Sequence, residues 1–295
     1  MAFTLNPFKR IANKARKTVN NAVVDKAVDT VVNKHMTPEE ITAQILKMNV
    51  AKVDRAEFLN KELKGHYPEE TVQTAIEYNP AYAGIDKQKI NRRAYEVIQR
   101  ETKKVSGISF AAGLPGGYAM AATVPAEMIQ YFAYTVRAIQ ELAYLYGFDE
   151  FDLKEGADSY GMHQILVFLG AMYDIQGADE SIRIIAEADA QKKSKELANE
   201  ALTKEALYPV VKKITEEVRT KIAKRMYVKS ASKIVPVIGG AVSGRMTHKT
   251  FKANCTRLKD CLSDLELCNV EFYEKMRSGE ERREVEPVPE EAEEV

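Results

Sequence analysis

The sequence predicts an all-α chain, organised as one helical bundle-like domain with two Gly-rich apolar turns. Three observations carry that expectation. Helix start signals recur along most of the chain. No run of alternating Val, Ile, Thr and Tyr bounded by turn dipeptides marks a strand. No segment repeats at the fixed spacing of a helical solenoid.

The elements follow in order. Residues 8–34 read as helix with a break near Asn20-Asn21. Thr37-Pro38-Glu39-Glu40 is a capping box with proline at the first helical position, and opens a helix to about Asn49. Asp54 to Lys64 is a short helix closed by Gly65. Pro68-Glu69-Glu70 starts another that ends at Asn79-Pro80, and a long, polar helix covers Asp86 to Lys104. Ser106 to Tyr146 is apolar and rich in small residues, interrupted by Gly113-Leu114-Pro115-Gly116-Gly117. Helices are expected over Asp152–Asp174, Ala178–Leu207 and Pro209–Ser232. A second small-residue segment, Ile234 to Gly244, contains Pro236, Gly239, Gly240 and Gly244 and precedes a last helix from Met246 to Arg277.

At 295 residues the chain is long enough to bury a substantial core, and 45% of its residues are hydrophobic. Lys plus Arg and Asp plus Glu both number 43, so the charge balance favours neither a nucleic-acid binder nor an acidic scaffold. The charge is unevenly placed. Residues 1–35 form a basic helical arm that includes Lys9, Arg10, Lys14, Arg16 and Lys17. A helical domain is expected over residues 36–278, and an acidic, disordered tail over 279–295. The opening MAFTLNPFKR lacks the apolar core of a signal peptide. The uncharged run Val105–Ala126 is interrupted by glycines and prolines, and Arg137 and Glu141 sit inside the next apolar stretch, so a spanning helix is not expected. Cys255, Cys261 and Cys268 lie in one predicted helix with no CxxC pattern, as structural thiols of a reducing cytosol.

Three patterns are candidates for function. The Gly-rich pair, Gly113-Leu114-Pro115-Gly116-Gly117 and Ile238 to Gly244, suits close backbone approach and lacks the spacing of a phosphate loop. Each is either a packed core turn or a surface for a ligand or membrane. The second pattern is a polar stripe of Glu127, Gln130, Tyr134, Arg137 and Glu141 on one face of the helix starting at Pro125. It is either the solvent face of an amphipathic helix or a buried polar seam able to bind a charged group. Glu127 and Glu141 lie about 21 Å apart along a helix, too far to act together on one bond. The third is a heptad seam of Phe251, Cys255, Leu258, Leu262, Leu265, Asn269, Phe272 and Met276, with Asn269 at a core position. That seam packs either within the bundle or against a second copy of the chain. No catalytic residue, metal site or cofactor is assigned. His163, among Met162, Ile165, Leu166 and Phe168, reads as a core histidine.

Gly113-Leu114-Pro115-Gly116, Thr123-Val124-Pro125-Ala126-Glu127, Ala138-Ile139 and Tyr146-Gly147-Phe148 resemble, in order and spacing, the centre of the EcsC family. Ile234-Val235-Pro236-Val237-Ile238-Gly239-Gly240-Ala241 is similar to that family's second hallmark, and the resemblance spans about residues 90–275. The chain departs from the pattern at Arg245-Met246-Thr247. The resemblance implies a bacterial protein associated with transport or the cell envelope, without an agreed molecular activity. The expectation is a non-enzymatic accessory protein in the cytoplasm, peripheral at the inner membrane, meeting an anionic membrane surface or a transporter. The alternatives are a helical protein holding a small amphipathic ligand between its Gly-rich segments, and an enzyme of unrecognised type.

Overall fold

The computed structural model describes residues 48–113, 123–153, 160–193, 209–214 and 238–285, with a few isolated positions besides. Its helices are α1 (Arg55–Leu63), α2 (Glu69–Glu77), α3 (Lys87–Gly113), α4 (Thr123–Leu145), α5 (Tyr160–Met172), α6 (Ala178–Lys193), α7 (Ile238–Ser263) and α8 (Val270–Val285). Short 3-10 turns cover Asn49–Ala51 and Glu266–Cys268. Among the described residues there is no strand; Lys64 and Tyr67 form an isolated bridge. The chain is thus all-α, as its sequence predicts.

Local chemistry sets the helix ends. Asp54 caps α1, its carboxylate accepting the Glu57 amide at 2.7 Å. Glu69 and Glu70 occupy the first turn of α2, where carboxylates favour the helix dipole. Helix α4 ends at Tyr146-Gly147. Gly147 has a φ of 101°, and a Cβ there would stand 3.0 Å from the Leu267 carbonyl oxygen. Only glycine permits both the left-handed turn and that approach.

Helix α4 is the hub. It packs on α1, α3, α5, α7 and the Asn49–Ala51 turn. From Tyr131 to Phe148 only Tyr134 and Arg137 escape full burial. Ala133, Ala138 and Ala143 let neighbouring helices come close, while Phe132, Ile139 and Leu142 fill the space between them. Gln140 ties the N-terminal turn to the hub. Its amide nitrogen donates to the Ala51 carbonyl at 2.6 Å, and its oxygen accepts the Val53 amide at 3.3 Å.

The most extensive helix pair is α3 with α7. Lys87 meets Asp264, Lys252 lies over Tyr95, and Thr247 donates to Ser109, so the two helices run antiparallel. They come close at Gly244. A Cβ there would lie 3.1 Å from the Phe110 Cβ and 3.3 Å from the Ser106 carbonyl oxygen.

Several expectations change. The polar helix does not stop at Lys104 but runs to Gly113, because the small apolar residues after Val105 pack against α7. Ile238 to Gly244 is not a turn. Gly239, Gly240 and Gly244 belong to the first turns of α7, and at Gly244 the lack of a side chain lets α3 come close. Gly113 is the last residue of α3, whereas Pro115, Gly116, Gly117 and Pro236 lie outside the described residues. The helix expected from Asp152 begins, in the described part, at Tyr160.

The helix expected from Met246 to Arg277 is two helices separated by a 3-10 turn. The break corrects the heptad reading. Phe251, Cys255, Leu258 and Leu262 are buried on α7, but Asn269 is exposed and accepts the Glu271 amide at 3.1 Å. It is the N-cap of α8, a position asparagine favours for its short acceptor side chain. Phe272 and Met276 follow on a separate, half-buried helix. The three cysteines are likewise divided, with Cys268 on the 3-10 turn, its thiol donating to the Leu265 carbonyl.

Candidate functional site

The polar residues of the described fold gather where α1, α3 and α4 meet. Helix α3 is long enough to bring Arg100, Glu101 and Lys104 alongside the middle of α4. Helix α4 presents Arg137 and Glu141 one turn apart, and α1 contributes Glu62 near its end.

Arg100 pairs with three carboxylates: Glu62 at 2.7 Å, Glu101 at 3.2 Å and Glu141 at 3.6 Å. Arg137 pairs with Glu141 at 2.7 Å and with Glu101 at 3.7 Å. Lys104 closes on Glu101 at 2.7 Å. Arg100, Glu101, Arg137 and Glu141 therefore form a closed ring of alternating basic and acidic side chains, with Glu62 and Lys104 attached. The side chains of Glu101 and Glu141 are 0% exposed, against 24% for Arg137 and 30% for Arg100. The carboxylates are inside, and the guanidinium groups bridge them to solvent, as long amphipathic side chains can.

Burial pushes the Glu141 carboxyl up to about 7, with repulsion from Glu101 adding to the shift and Arg137, Arg100 and Lys104 opposing it. Burial works against the charge of Arg100, but Glu141, Glu62 and Glu101 outweigh it and raise its pKa. Beneath the ring lies Cys255 on α7, fully buried. Desolvation, then the charges of Glu101 and Glu141, hold it as a neutral thiol well above the ordinary range. Such a thiol is a packing group, because the nucleophile would be the thiolate.

A second constellation sits at the outer end of α1. Arg55 is 8% exposed and donates to three carbonyls: Phe148 at 3.0 Å, Ile76 at 2.5 Å and Tyr78 at 2.6 Å. It satisfies the C-terminal end of α2 and joins it to the exit of α4. Burial lowers its pKa, partly countered by Asp149.

The polar stripe is thus not a solvent face. Glu141 is its innermost member and Arg137 bridges inside and outside, while Tyr134 and Gln130 are half-buried. The supposed apolar side, Phe132, Val136, Ile139 and Ala143, is buried too, because α4 is surrounded. The side chain of Glu127 lies outside the described residues, and so do Lys9, Arg10, Lys14, Arg16 and Lys17. His163 is buried, at 8% exposure.

Glu62, Arg100, Glu101, Lys104 and Arg55 are the members the sequence reading did not single out. A signal for them exists. On α3 the buried residues Ile90, Ala94, Val97 and Val105 leave a gap in their helical spacing that Glu101 fills. On α1, Arg55 and Glu62 share the stripe of Phe58, Leu59 and Leu63. A charge on an apolar stripe must be paired or hydrogen-bonded when the helix docks.

Chemically, a carboxyl near pH 7 lies in the range where proton transfer is effective. Here its oxygens face cations of the same chain, and the assembly resembles an internal charge junction more than a substrate cleft. Comparison with known proteins gives no match, from family models, curated proteins or solved structures.

Proposed function

We propose that this chain is a non-enzymatic helical accessory protein of EcsC type that attaches reversibly to an anionic membrane surface, through which it meets a transport or envelope system. The observation that carries this reading is the division of charge. The described domain turns its buried charges inward, in the Glu62–Arg100–Glu101–Arg137–Glu141 cluster and in Arg55. The unbalanced charge of the sequence lies at its two ends, in the basic residues Lys9 to Lys17 and the acidic residues Glu280 to Glu294.

Five positive charges stand between Lys9 and Lys17, with Phe3, Leu5, Phe8 and Ile11 beside them. Each Lys or Arg near an anionic leaflet contributes about 1 kcal/mol, and salt weakens the attraction. No helix among the described residues is long and apolar enough to cross a membrane. The acidic end competes for the same positive charges.

Flotation with vesicles rich in anionic lipid tests the reading. The full chain should float weakly and be released by salt, a variant lacking residues 1–20 should stay in solution, and one lacking 280–295 should float more. Equal behaviour of all three would exclude the basic end as anchor and the acidic end as its brake.

A second reading rests on the exposed ring of Phe110 beside Gly244, where α3 and α7 come together. A small amphipathic ligand bound there would be retained in native mass spectra of gently purified protein.

A further inference from the structure

Three buried carboxylates converge on two guanidinium groups, and one guanidinium is shared by all three. Like charges gathered in this way do not all ionise with equal ease, because each added negative charge raises the cost of the next. The geometry ranks them. Glu101 faces three cations, at 2.7, 3.2 and 3.7 Å. Glu62 pairs with Arg100 at 2.7 Å and is 7% exposed. Glu141, with no exposed side-chain surface, has one close partner on its own helix, Arg137, and only the distant edge of the shared Arg100, at 3.6 Å. Of the three it is the one whose two oxygens are both buried with neither accepting a hydrogen bond.

We propose that Glu141 is a proton-operated junction between α3 and α4: the closed bundle keeps Glu141 protonated, and loss of that proton loosens the α3–α4 seam. The raised carboxyl, at about 7, agrees with the ranking. The groups that bear on Glu141 are Glu62 from α1, Arg100, Glu101 and Lys104 from α3, Arg137 from α4 itself and Cys255 from α7.

The direction follows from linkage. A carboxyl whose folded value lies above its ordinary 4.5 binds its proton more tightly when the bundle is closed. Protonation therefore favours the closed form. The closed form is most stable below about pH 4.5, loses that advantage as pH rises toward 7, and gains nothing further above it. Deprotonation leaves an ionised carboxylate in the seam, and opening the seam lets water reach it. Arg100 and Arg137, already partly exposed, would swing outward with little cost. The device makes seam rigidity a function of pH without any metal or ligand.

The test uses the full chain with carbon-13 at its Glu carboxyls, titrated by nuclear magnetic resonance from pH 5 to 9. One Glu signal should titrate with a midpoint near 7, vanish in Glu141→Gln, and move to lower pH in Glu101→Gln, where the repelling charge is gone. Following Glu carboxyls separates this event from proton uptake by histidine side chains. Hydrogen exchange of the α3 and α4 amides, corrected for intrinsic pH dependence, should show seam opening at pH 8.5 roughly thirtyfold more frequent than at pH 5.5. In Glu141→Gln, which mimics the protonated state, opening should be equally rare at both pH values. Absence of any Glu signal titrating above about pH 5.5 in the unaltered chain overturns the proposal, and that result needs no variant to fold. A titration near 7 without a change in exchange also overturns it, since the proton would then not act on the seam.

Discussion

Arg55 shows how much a single side chain can hold in this fold. Its guanidinium donates to carbonyls on two different elements, at the end of α2 and after α4. Removing it leaves those acceptors without their charged donor in a buried place, a loss that costs more than the hydrogen bonds gained on folding. Arg55→Met is expected to lower unfolding free energy by about 2–4 kcal/mol in urea titrations. Arg55→Lys should recover little, since a single ammonium cannot span three carbonyls in the planar geometry of a guanidinium. A Lys variant as stable as the original would show that charge alone matters. At this scale the sequence was only partly legible. Arg137 and Glu141 stand out as charges within an apolar helix, but their partners Arg100 and Glu101 lie in a helix polar on most sides, and only contact with α4 gives them meaning.

Elements were legible where a local signal ends them. Asp54 and the Pro68-Glu69-Glu70 start mark helices whose first residues the structure places within one residue of the expected starts. The end of α3 was hidden because its last three turns are stabilised by α7 rather than by local propensity, and tertiary packing outweighs propensity over such a stretch. The α7–α8 break was hidden because a heptad spacing continued across it by coincidence. Asn269 decides between a seam and a cap. An asparagine inside an apolar seam lowers stability in exchange for register, so its replacement by Leu should stabilise. As the N-cap of α8 it should do the opposite. Asn269→Leu and Asn269→Ala are each expected to cost about 1 kcal/mol, and Asn269→Asp close to nothing. A gain of stability in the Leu variant would restore the seam.

The α3–α7 contact carries its own prediction. Because a Cβ at Gly244 meets a side-chain carbon at 3.1 Å and a backbone oxygen at 3.3 Å, the antiparallel helices must separate to admit anything larger. Gly244→Leu is expected to destabilise by about 1–3 kcal/mol, the usual cost of overpacking, with Gly244→Ala milder. Helix propensity alone would favour both replacements, by roughly 1 kcal/mol. The sign of the change in melting temperature therefore separates packing from propensity: a rise in both variants would mean that the helices part freely at this point.

Over the whole molecule, the position of α4 determines how far any disturbance travels. A helix covered on one face transmits strain to one neighbour. This one touches α1, α3, α5 and α7, and nearly all its side chains from Tyr131 to Phe148 are buried. Leu142, fully buried in its last turn, is suited to test the consequence. Truncation to Ala removes apolar burial and leaves a cavity that a close-packed interior fills only in part, at a cost of about 2–5 kcal/mol. If the bundle is a set of helices docked independently on one another, the loss stays local and amide protection falls in α4 alone. If α4 is the shared core of one cooperative unit, Leu142→Ala lowers protection in α1, α3, α5 and α7 together, by similar factors, while the turn of α8 that carries the exposed Glu274 and Lys275 is unaffected. The second pattern is expected, because the same α4 residues that bury against α3 complete the cores of the other helix pairs. Hydrogen exchange read helix by helix checks it, and a fall confined to α4 would show that the surrounding helices hold one another without their hub.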